Sequence, residues 1–290
     1  MDRRSNRGYL DTMVSGGIEA LRCTCPTVAV RVASRSAFVQ EQTGRESQTL
    51  LRQHAELIDA AWTELCAANP RLHDGQILAV DSFDNPTGTF VVSPARYRYL
   101  AAQRYTLQAG PLAGVTVPDL GIRLLGVKAM ITAMGSDGQE HVLILRRSSG
   151  VRVYGDMWEI GPGGGVELPH APNTHSDTAS NPAALTWHDL LASLAREARE
   201  ELGVELDLQC DGPLLHGVYA DHIAASHDVV LSYRWKATVD PKAGWCHIGQ
   251  RDWEYSDAAW LAKADAASWA TRGKQVSPLA RVVLADWAGR

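Results

Sequence analysis

The most constraining feature of this 290-residue chain is the segment 196–204, which reads Arg-Glu-Ala-Arg-Glu-Glu-Leu-Gly-Val. Glu197, Glu200 and Glu201 have the spacing i, i+3 and i+4, so on a helix their carboxylates share one face. Gly203 is typical of a helix end. A separate apolar stripe can pack against a sheet: Leu191, Leu194, Ala195, Ala198 and Leu202. The segment therefore predicts a helix that lies on a sheet and presents three acids together.

Three neighbouring carboxylates repel one another unless a cation lies between them, and hard oxygen ligands suit Mg²⁺ or Mn²⁺. Solvated surface helices carry similar charge runs, which is the alternative interpretation of these nine residues. A second motif favours the metal site. Residues 158–167 read Trp-Glu-Ile-Gly-Pro-Gly-Gly-Gly-Val-Glu and follow an apolar run that ends in Arg146 and Arg147. Glycines allow a tight bend there and let the backbone offer a carbonyl to the metal.

Both motifs, in this order, resemble those of the Nudix hydrolase superfamily, whose members cleave nucleoside diphosphates linked to another moiety. The resemblance implies an α/β/α sandwich and a Mg²⁺ site formed by the Gly163 carbonyl with Glu197, Glu200 and Glu201. The same three glutamates are the catalytic candidates. Glu254, on a later loop, is the candidate for deprotonating the attacking water, and an ordinary solvated loop residue is the alternative.

Five residues are predicted to bind the substrate: Arg146, Arg147, Gly164, Glu167 and His222. Arg146 or Arg147 could hold a phosphate through paired hydrogen bonds, and we expect one of them to face solvent. Gly164 and Glu167 belong to the Gly-rich turn, where Glu167 could also be a metal ligand or stabilise the turn. His222 lies in a loop that could reach a sugar, although a plain hairpin explains it equally well. The same loop has further polar residues beside it: Asp221, His227 and Asp228.

The chain departs from the family pattern before the acidic helix. The family places a glutamate eight residues before the arginine, and here that position is His188, which we interpret as a helix-start residue. Glu167 lies farther from Arg196 than the family spacing allows. The intervening segment 168–186 is rich in Pro, Ser, Thr and Asn, which predicts a polar insertion with Thr186 as a helix N-cap.

Hydrophobic periodicity divides the chain into three parts. Residues 1–26 are expected to be poorly ordered, 27–115 to form a small α/β domain, and 121–290 to form the Nudix domain. The small domain is predicted to contain strands 27–32, 76–83 and 89–92, and helices 46–68 and 93–102. The second is predicted to contain strands 128–134, 141–147, 157–160, 214–219, 229–237 and 258–261, helix 187–202, and a last helix after Ser277.

Composition narrows the functional classes. The net charge is −5 and no block of Lys or Arg is present, which argues against nucleic-acid binding. No apolar run is long enough to span a bilayer, so no membrane partner is predicted. The five cysteines are an odd number and lack metal-ligand spacing, although Cys23 and Cys25 leave a zinc site as the alternative. We interpret them as reduced thiols of a cytoplasmic protein. The sequence does not indicate an oligomeric state.

The arrangement further resembles the two-domain Nudix hydrolases that act on UDP-glucose and UDP-galactose. The resemblance depends on the turn 69–75 after the first helix, the interrupted acidic motif and the strand at 215–218. It implies Mg²⁺-dependent hydrolysis of a nucleotide sugar to a nucleoside monophosphate and a sugar 1-phosphate, with the first domain beside the cleft. One alternative keeps the chemistry with ADP-ribose, coenzyme A or a dinucleotide as substrate. Another is a non-catalytic module that binds a nucleotide.

Overall fold

The computed structural model describes residues 14–15, 17–21, 25–32, 49–166, 184–207, 213–242, 253–272 and 275–290. Its strands are β1 (Val14–Ser15), β2 (Ile18–Leu21), β3 (Ala29–Val32), β4 (Gln76–Asp84), β5 (Thr89–Arg96), β6 (Leu124–Met134), β7 (Glu140–Arg147), β8 (Trp158–Ile160), β9 (Gly163–Gly165), β10 (Ala184–Leu185), β11 (Leu214–Asp221), β12 (Ser226–Arg234) and β13 (Tyr255–Ala262). Its helices are α1 (Ala55–Ala68), α2 (Tyr97–Ala102), α3 (Trp187–Leu202), α4 (Lys263–Ala270) and α5 (Pro278–Gly289).

The described strands form one mixed sheet that branches at β6. The main path runs β1-β2-β11-β12-β6-β4-β5-β3-β10, while β9 and the group β13-β7-β8 join it through β6. One edge of β6 pairs in parallel with β12, from Leu124 to Thr132. The opposite edge is divided among β4, β9 and β7. The glycine strand β9 therefore lies between two strand groups at the centre of the molecule.

Side chains of β6 alternate between two cores because successive residues of a strand point to opposite faces. Leu125, Val127 and Ala129 belong to the core that includes Leu194 and Leu202 of α3. Met130 belongs to a second core, which is formed largely by α5. Helices thus cover both faces of the sheet, and the predicted fold class, α/β with an α/β/α arrangement, is confirmed.

The N-terminal elements pack around a third core and share the same sheet. Helices α1 and α2 contribute Ile58 and Leu100 to this core, which also contains Ala225 from the β11–β12 turn. Strand β4 joins β6 through the pair Ala79 and Leu124. The boundary predicted between residues 115 and 121 therefore lies within one continuous sheet, and the division into two domains stays a prediction. In the described part of the chain, no helix has the length and apolarity needed to cross a membrane.

Several predicted boundaries were wrong. Strand β5 continues to Arg96, so the helix predicted over 93–102 begins at Tyr97. The hydroxyl of Ser93 donates to the Asp81 carboxylate, and Pro94 pairs with Leu78 on β4, which keeps this stretch extended. Strand β12 runs over Ser226–Arg234, not 229–237.

Other elements agree with the predictions or were absent from them. Helix α3 has the predicted bounds, and Ser277 caps α5 by accepting a hydrogen bond from the Ala280 N–H. The helix predicted over 46–68 includes α1 and helical residues 49–53, and 46–48 lie outside the described residues. Strand β2 forms in the segment 1–26, which was expected to be poorly ordered. Residues 1–13 of that segment lie outside the described part, and the short strands β9 and β10 and helix α4 were not predicted.

Candidate functional site

Helix α3 is held at both ends by its own sequence. The backbone N–H of Thr186 donates to the carboxylate of Asp189, which completes a capping box at the first turn. At the other end Gly203 adopts a left-handed conformation with φ of 65°, which glycine accommodates without strain. Between these ends, buried leucines fix the rotation of α3 on the sheet. The rotation brings Glu197 and Glu201 to the neighbouring strand β9.

Strand β9 lies directly against these two carboxylates. The Gly163 N–H donates to Oε2 of Glu201 over 3.0 Å. A β-carbon on Gly164 would lie 2.4 Å from Cδ of Glu197, a separation that atoms cannot adopt. Glycine at position 164 therefore leaves the space that the Glu197 carboxylate occupies beside the strand.

The third acid of the motif lies farther out. The side chain of Glu200 is 57% exposed and pairs with Arg196 at 3.2 Å. Arg196 also donates to Oε1 of Glu197 over 2.7 Å. In this arrangement a guanidinium of the same helix neutralises part of the charge on Glu197 and Glu200.

Glu201 is the electrostatic centre of the site. Burial raises the pKa of its carboxyl well above the usual range, and the negative charges of Glu254, Glu197 and Glu159 raise it further. The hydroxyl of Tyr255 lies 3.4 Å from Oε2 of Glu201 and provides a second donor besides the Gly163 N–H. A cation among these carboxylates would relieve the repulsion.

Behind Glu201, a buried ion-pair network surrounds Glu159. Its carboxylate accepts hydrogen bonds from Lys128 Nζ at 2.6 Å, Arg147 Nη1 at 2.7 Å and the Tyr255 hydroxyl at 3.1 Å. Burial alone would raise the pKa of Glu159, but attraction to Arg147 and Lys128 outweighs it and lowers the pKa to about 2. This network could not be predicted from the sequence because Lys128 and Glu159 lie on different strands, 31 positions apart.

The structure separates the two predicted arginines. Arg147 is nearly buried, whereas the side chain of Arg146 is 45% exposed and lies 3.9 Å from Asp156. Arg147 also lies 3.8 Å from Glu254, whose side chain is 31% exposed. The loop with Glu254 is fixed by the Ser148 N–H, which donates to the Glu254 carbonyl over 2.7 Å. Arg147 and Glu254 thus both lie near Glu201, and Arg146 points to solvent.

One other predicted residue, His222, is not part of this group. His222 is exposed, and its Nε2 lies 3.5 Å from Glu19 on β2. Glu167 lies outside the described residues, as does the insertion up to residue 183. Their predicted roles in substrate binding stay predictions. His188 is the second residue of α3 and was interpreted as a helix-start residue, which agrees with its position in the first turn.

A cleft of about 150 Å³ opens beside β9. Gly163 and Gly164 line it, so the strand that contacts the carboxylates also forms a wall of the cleft. Residues 47–105, which we expected to help form the wall of the cleft, are not among the described residues that line it. The polar lining of the cleft comes from several elements: Lys128, Arg147, Arg152, Tyr154, Glu159, Asp221, Ser226, Asp228 and Ser277. Six of these were not predicted as site residues: Lys128, Arg152, Tyr154, Glu159, Ser226 and Ser277.

The donor set suits a hard divalent cation. Among the residues that the structure describes, no group of three His, Cys, Asp or Glu side chains is arranged to hold a metal ion as it stands. All nearby donors are nevertheless oxygens, and the raised pKa of Glu201 reflects repulsion that a cation would remove. Glu197, Glu201 and the Gly163 carbonyl are the groups best placed for such an ion, with Glu200 at the solvent side.

Comparison with known proteins gave matches among solved structures. No family model matches the sequence, and no curated protein matches it. DR0079 from Deinococcus radiodurans is 19% identical, with a TM-score of 0.41, and the match covers 72% of this chain and 97% of that one. The Nudix domain of Shewanella oneidensis NrtR, solved with ADP ribose, is 18% identical with a TM-score of 0.34, covering 58% and 86%.

A MutT Nudix hydrolase from Burkholderia pseudomallei is 19% identical with a TM-score of 0.34, and the match covers 56% of this chain and 95% of that one. Identities and TM-scores this low carry no argument about activity, which therefore depends on the site residues themselves. Nudix and MutT proteins are nevertheless what these comparisons find, the same superfamily that the sequence motifs resemble.

Proposed function

We propose that the protein is a Mg²⁺-dependent hydrolase that cleaves the diphosphate of a nucleoside diphosphate linked to a sugar. The main support is a contact: the carboxylates of Glu197 and Glu201 on α3 lie against the glycine strand β9, which also lines the cleft. Burial, together with the charges of neighbouring acids, raises the pKa of Glu201 there, an arrangement that a divalent cation would stabilise.

Each group has a proposed role. Glu197, Glu200, Glu201 and the Gly163 carbonyl would hold Mg²⁺, with Mn²⁺ as a substitute. A bound cation of this kind supplies charge neutralisation at the diphosphate oxygens and makes nearby water more acidic. Glu254 is proposed to accept the proton of the attacking water. Its loop is fixed by Ser148, and its carboxylate lies near Arg147.

The proposed reaction is a simple displacement at phosphorus. The water oxygen forms a bond to one phosphorus atom while the bond from that phosphorus to the bridging oxygen breaks. The water proton passes to Glu254, and the bridging oxygen leaves on the second phosphate. The products are a nucleoside monophosphate and a sugar 1-phosphate, with one water consumed. Arg147, nearly buried at the wall of the cleft, would donate to a phosphate oxygen.

A substrate panel tests this proposal. With Mg²⁺, UMP should be released from UDP-glucose faster than AMP from ADP-ribose, and faster than phosphomonoester from coenzyme A or a dinucleotide. Released phosphomonoester is measured by chromatography for each substrate at equal concentration. If AMP is released from ADP-ribose faster than UMP is released from UDP-glucose, the proposed nucleotide-sugar substrate is wrong and ADP-ribose is the better substrate. Absence of release from every member would contradict hydrolysis altogether and leave a nucleotide-binding module.

A substitution at β9 tests the role of the helix contact. Gly164→Ala should displace the carboxylate of Glu197, because the new β-carbon would overlap it. We expect turnover to fall about 100-fold, the usual effect of a misplaced catalytic group. Thermal unfolding should change little, since the displaced atoms are the end of a flexible side chain. Gly150→Ala is the matched control, because a β-carbon there would meet nothing within 4 Å. If Gly164→Ala turns over substrate as fast as the wild type, Glu197 does not have the proposed role in the site.

A further inference from the structure

The cleft beside β9 is large enough to take one ring. Its volume of about 150 Å³ equals that of a cavity that holds a benzene-sized molecule. Gly163 and Gly164 line this cleft and also contact the helix carboxylates. If the diphosphate lies at this strand, as the proposed function requires, the group attached to it extends into the cleft. The chemistry of the walls then determines which group is accepted.

The cations of the cleft already have partners. Lys128 and Arg147 both bond to Glu159. Arg152, at the rim, donates to the carbonyl of Ala224 over 3.1 Å. With Lys128 and Arg152 engaged within the protein, and Arg147 assigned to the diphosphate, the interior of the cleft offers little to a further phosphate. The carboxylates of Asp221 and Asp228 are acceptors, which favour a neutral ligand that is rich in donors.

Asp221 is one of two carboxylates on the far wall, and three donors of the protein already bond to it. It accepts hydrogen bonds from the Tyr154 hydroxyl at 2.8 Å and from the backbone N–H groups of Ile223 and Ala224. Tyr154 itself lines the cleft and has a positive φ of 57°, which is unusual for a tyrosine. Asp221 thus holds the wall of the cleft together and has less acceptor capacity left for a ligand than a carboxylate with a single donor.

Asp228 is the second carboxylate, and its surroundings differ. Among the residues that the structure describes, its hydrogen-bond donor is the Ser226 hydroxyl, at 2.7 Å. The opposite strand carries Gly126, where a β-carbon would lie 2.5 Å from Oδ1 of Asp228. Asp228 is half-buried and lines the cleft. Burial raises the pKa of its carboxyl to about 6, so hydroxyl donors from a ligand would stabilise the ionised form.

From this geometry we infer that Asp228 determines substrate specificity, by accepting hydrogen bonds from hydroxyl groups of the sugar joined to the diphosphate. A carboxylate accepts from two hydroxyls at once, which a vicinal diol offers and an apolar or phosphorylated group does not. The inference rests on the proposed function for the position of the diphosphate. It adds the residue that recognises the leaving group.

Binding without turnover tests the inference. Affinities of UDP-glucose, its monodeoxy analogues and UDP are measured with Ca²⁺ in place of Mg²⁺, since the proposed site needs a hard cation to hold the diphosphate, with saturation-transfer NMR on the sugar protons. Asp228→Asn should weaken UDP-glucose binding about tenfold, the effect of losing a hydrogen bond to a charged group, and leave UDP binding unchanged. At least one deoxy analogue should bind the wild type about tenfold more weakly, with no further loss in Asp228→Asn. Gly126→Ala, which displaces Asp228, should repeat the effect.

The controls separate specificity from other roles. Asp257→Asn makes the same chemical change on an exposed residue of β13 and should alter no affinity. Equal losses for UDP and UDP-glucose in Asp228→Asn, or no loss for either, would overturn the inference. The deoxy comparison on the wild type gives a result even if a variant folds poorly. Failure of the wild type to bind UDP-glucose also overturns the inference. Binding without Mg²⁺-dependent hydrolysis would overturn the proposed function alone.

Discussion

Replacing Glu201 by glutamine should reduce turnover by about 100- to 1000-fold, the usual effect of removing a charge-stabilising group from an active site. Glutamine is nearly isosteric and keeps an oxygen for the Gly163 N–H, so the fold is retained. The glutamine amide is neutral, so it cannot attract a cation as the Glu201 carboxylate would. Release of phosphomonoester from UDP-glucose, measured with saturating Mg²⁺, gives the effect on turnover.

At alkaline pH the free energy of unfolding of Glu201→Gln should be at least as large as that of the wild type. The folded-state pKa of Glu201 lies well above its usual value of 4.5. Its contribution to the free energy of unfolding is therefore fully present below pH 4.5 and is lost as pH rises through the folded pKa. At pH 8 the free energy of unfolding of the wild type is lowered in this way, and that of the glutamine variant is not. Urea unfolding at pH 5 and pH 8 compares the two proteins. Glu205→Gln, on an exposed ion pair with Arg199, is the control. Near-full activity in Glu201→Gln would contradict the proposed mechanism.

Replacing Glu159 by glutamine should have the largest effect on stability. The change leaves Lys128 and Arg147 buried without their counter-charge, since the side chains of both are only 12–13% exposed. Breaking a buried ion pair by removing one partner costs about 3–5 kcal/mol. Urea unfolding at pH 7 measures this change. Glu205→Gln again serves as control, where loss of an exposed ion pair should lower the free energy of unfolding far less.

Acid should have a matching effect on the wild type. The pKa of Glu159 falls from 4.5 to about 2 on folding. Its contribution to stability is therefore present above pH 4.5 and is lost as pH falls towards 2. The difference in unfolding free energy between wild type and Glu159→Gln should accordingly shrink over this range. A difference that stays constant from pH 7 to pH 3 would show that Glu159 does not act through its charge.

The helix motif could be predicted from sequence because all of its determinants are local. The capping residue, the apolar stripe and Gly203 lie within one stretch of chain, and α3 has the predicted bounds. Strand β9 could not be predicted in this way. Three consecutive glycines have low strand propensity, and they pair here because β6 offers an open edge. The strand that connects the carboxylates to the cleft therefore depends on tertiary contacts.

The ion-pair network around Glu159 could not be predicted from the sequence either, because it too depends on tertiary contacts. Glu159 follows the motif tryptophan, but nothing in the sequence pairs it with Lys128, because register between distant strands brings the two together. The fit of Asp228 against Gly126 likewise depends on the parallel alignment of β12 with β6. Single charged residues on strands look alike in sequence. Their roles differ according to what the sheet places across from them.

The pairing of β10 with β3 has a consequence for the chain that joins β9 to α3. Leu185 of β10 pairs with Val30 of β3, directly before the cap of the helix. Residues 167–183 therefore connect two points that the sheet already fixes. The entropic cost of joining two fixed points grows only with the logarithm of the length of chain between them, by about 0.6 kcal/mol for each doubling. An insertion or deletion between β9 and β10 should therefore cost little stability while the helix and its acids keep their place.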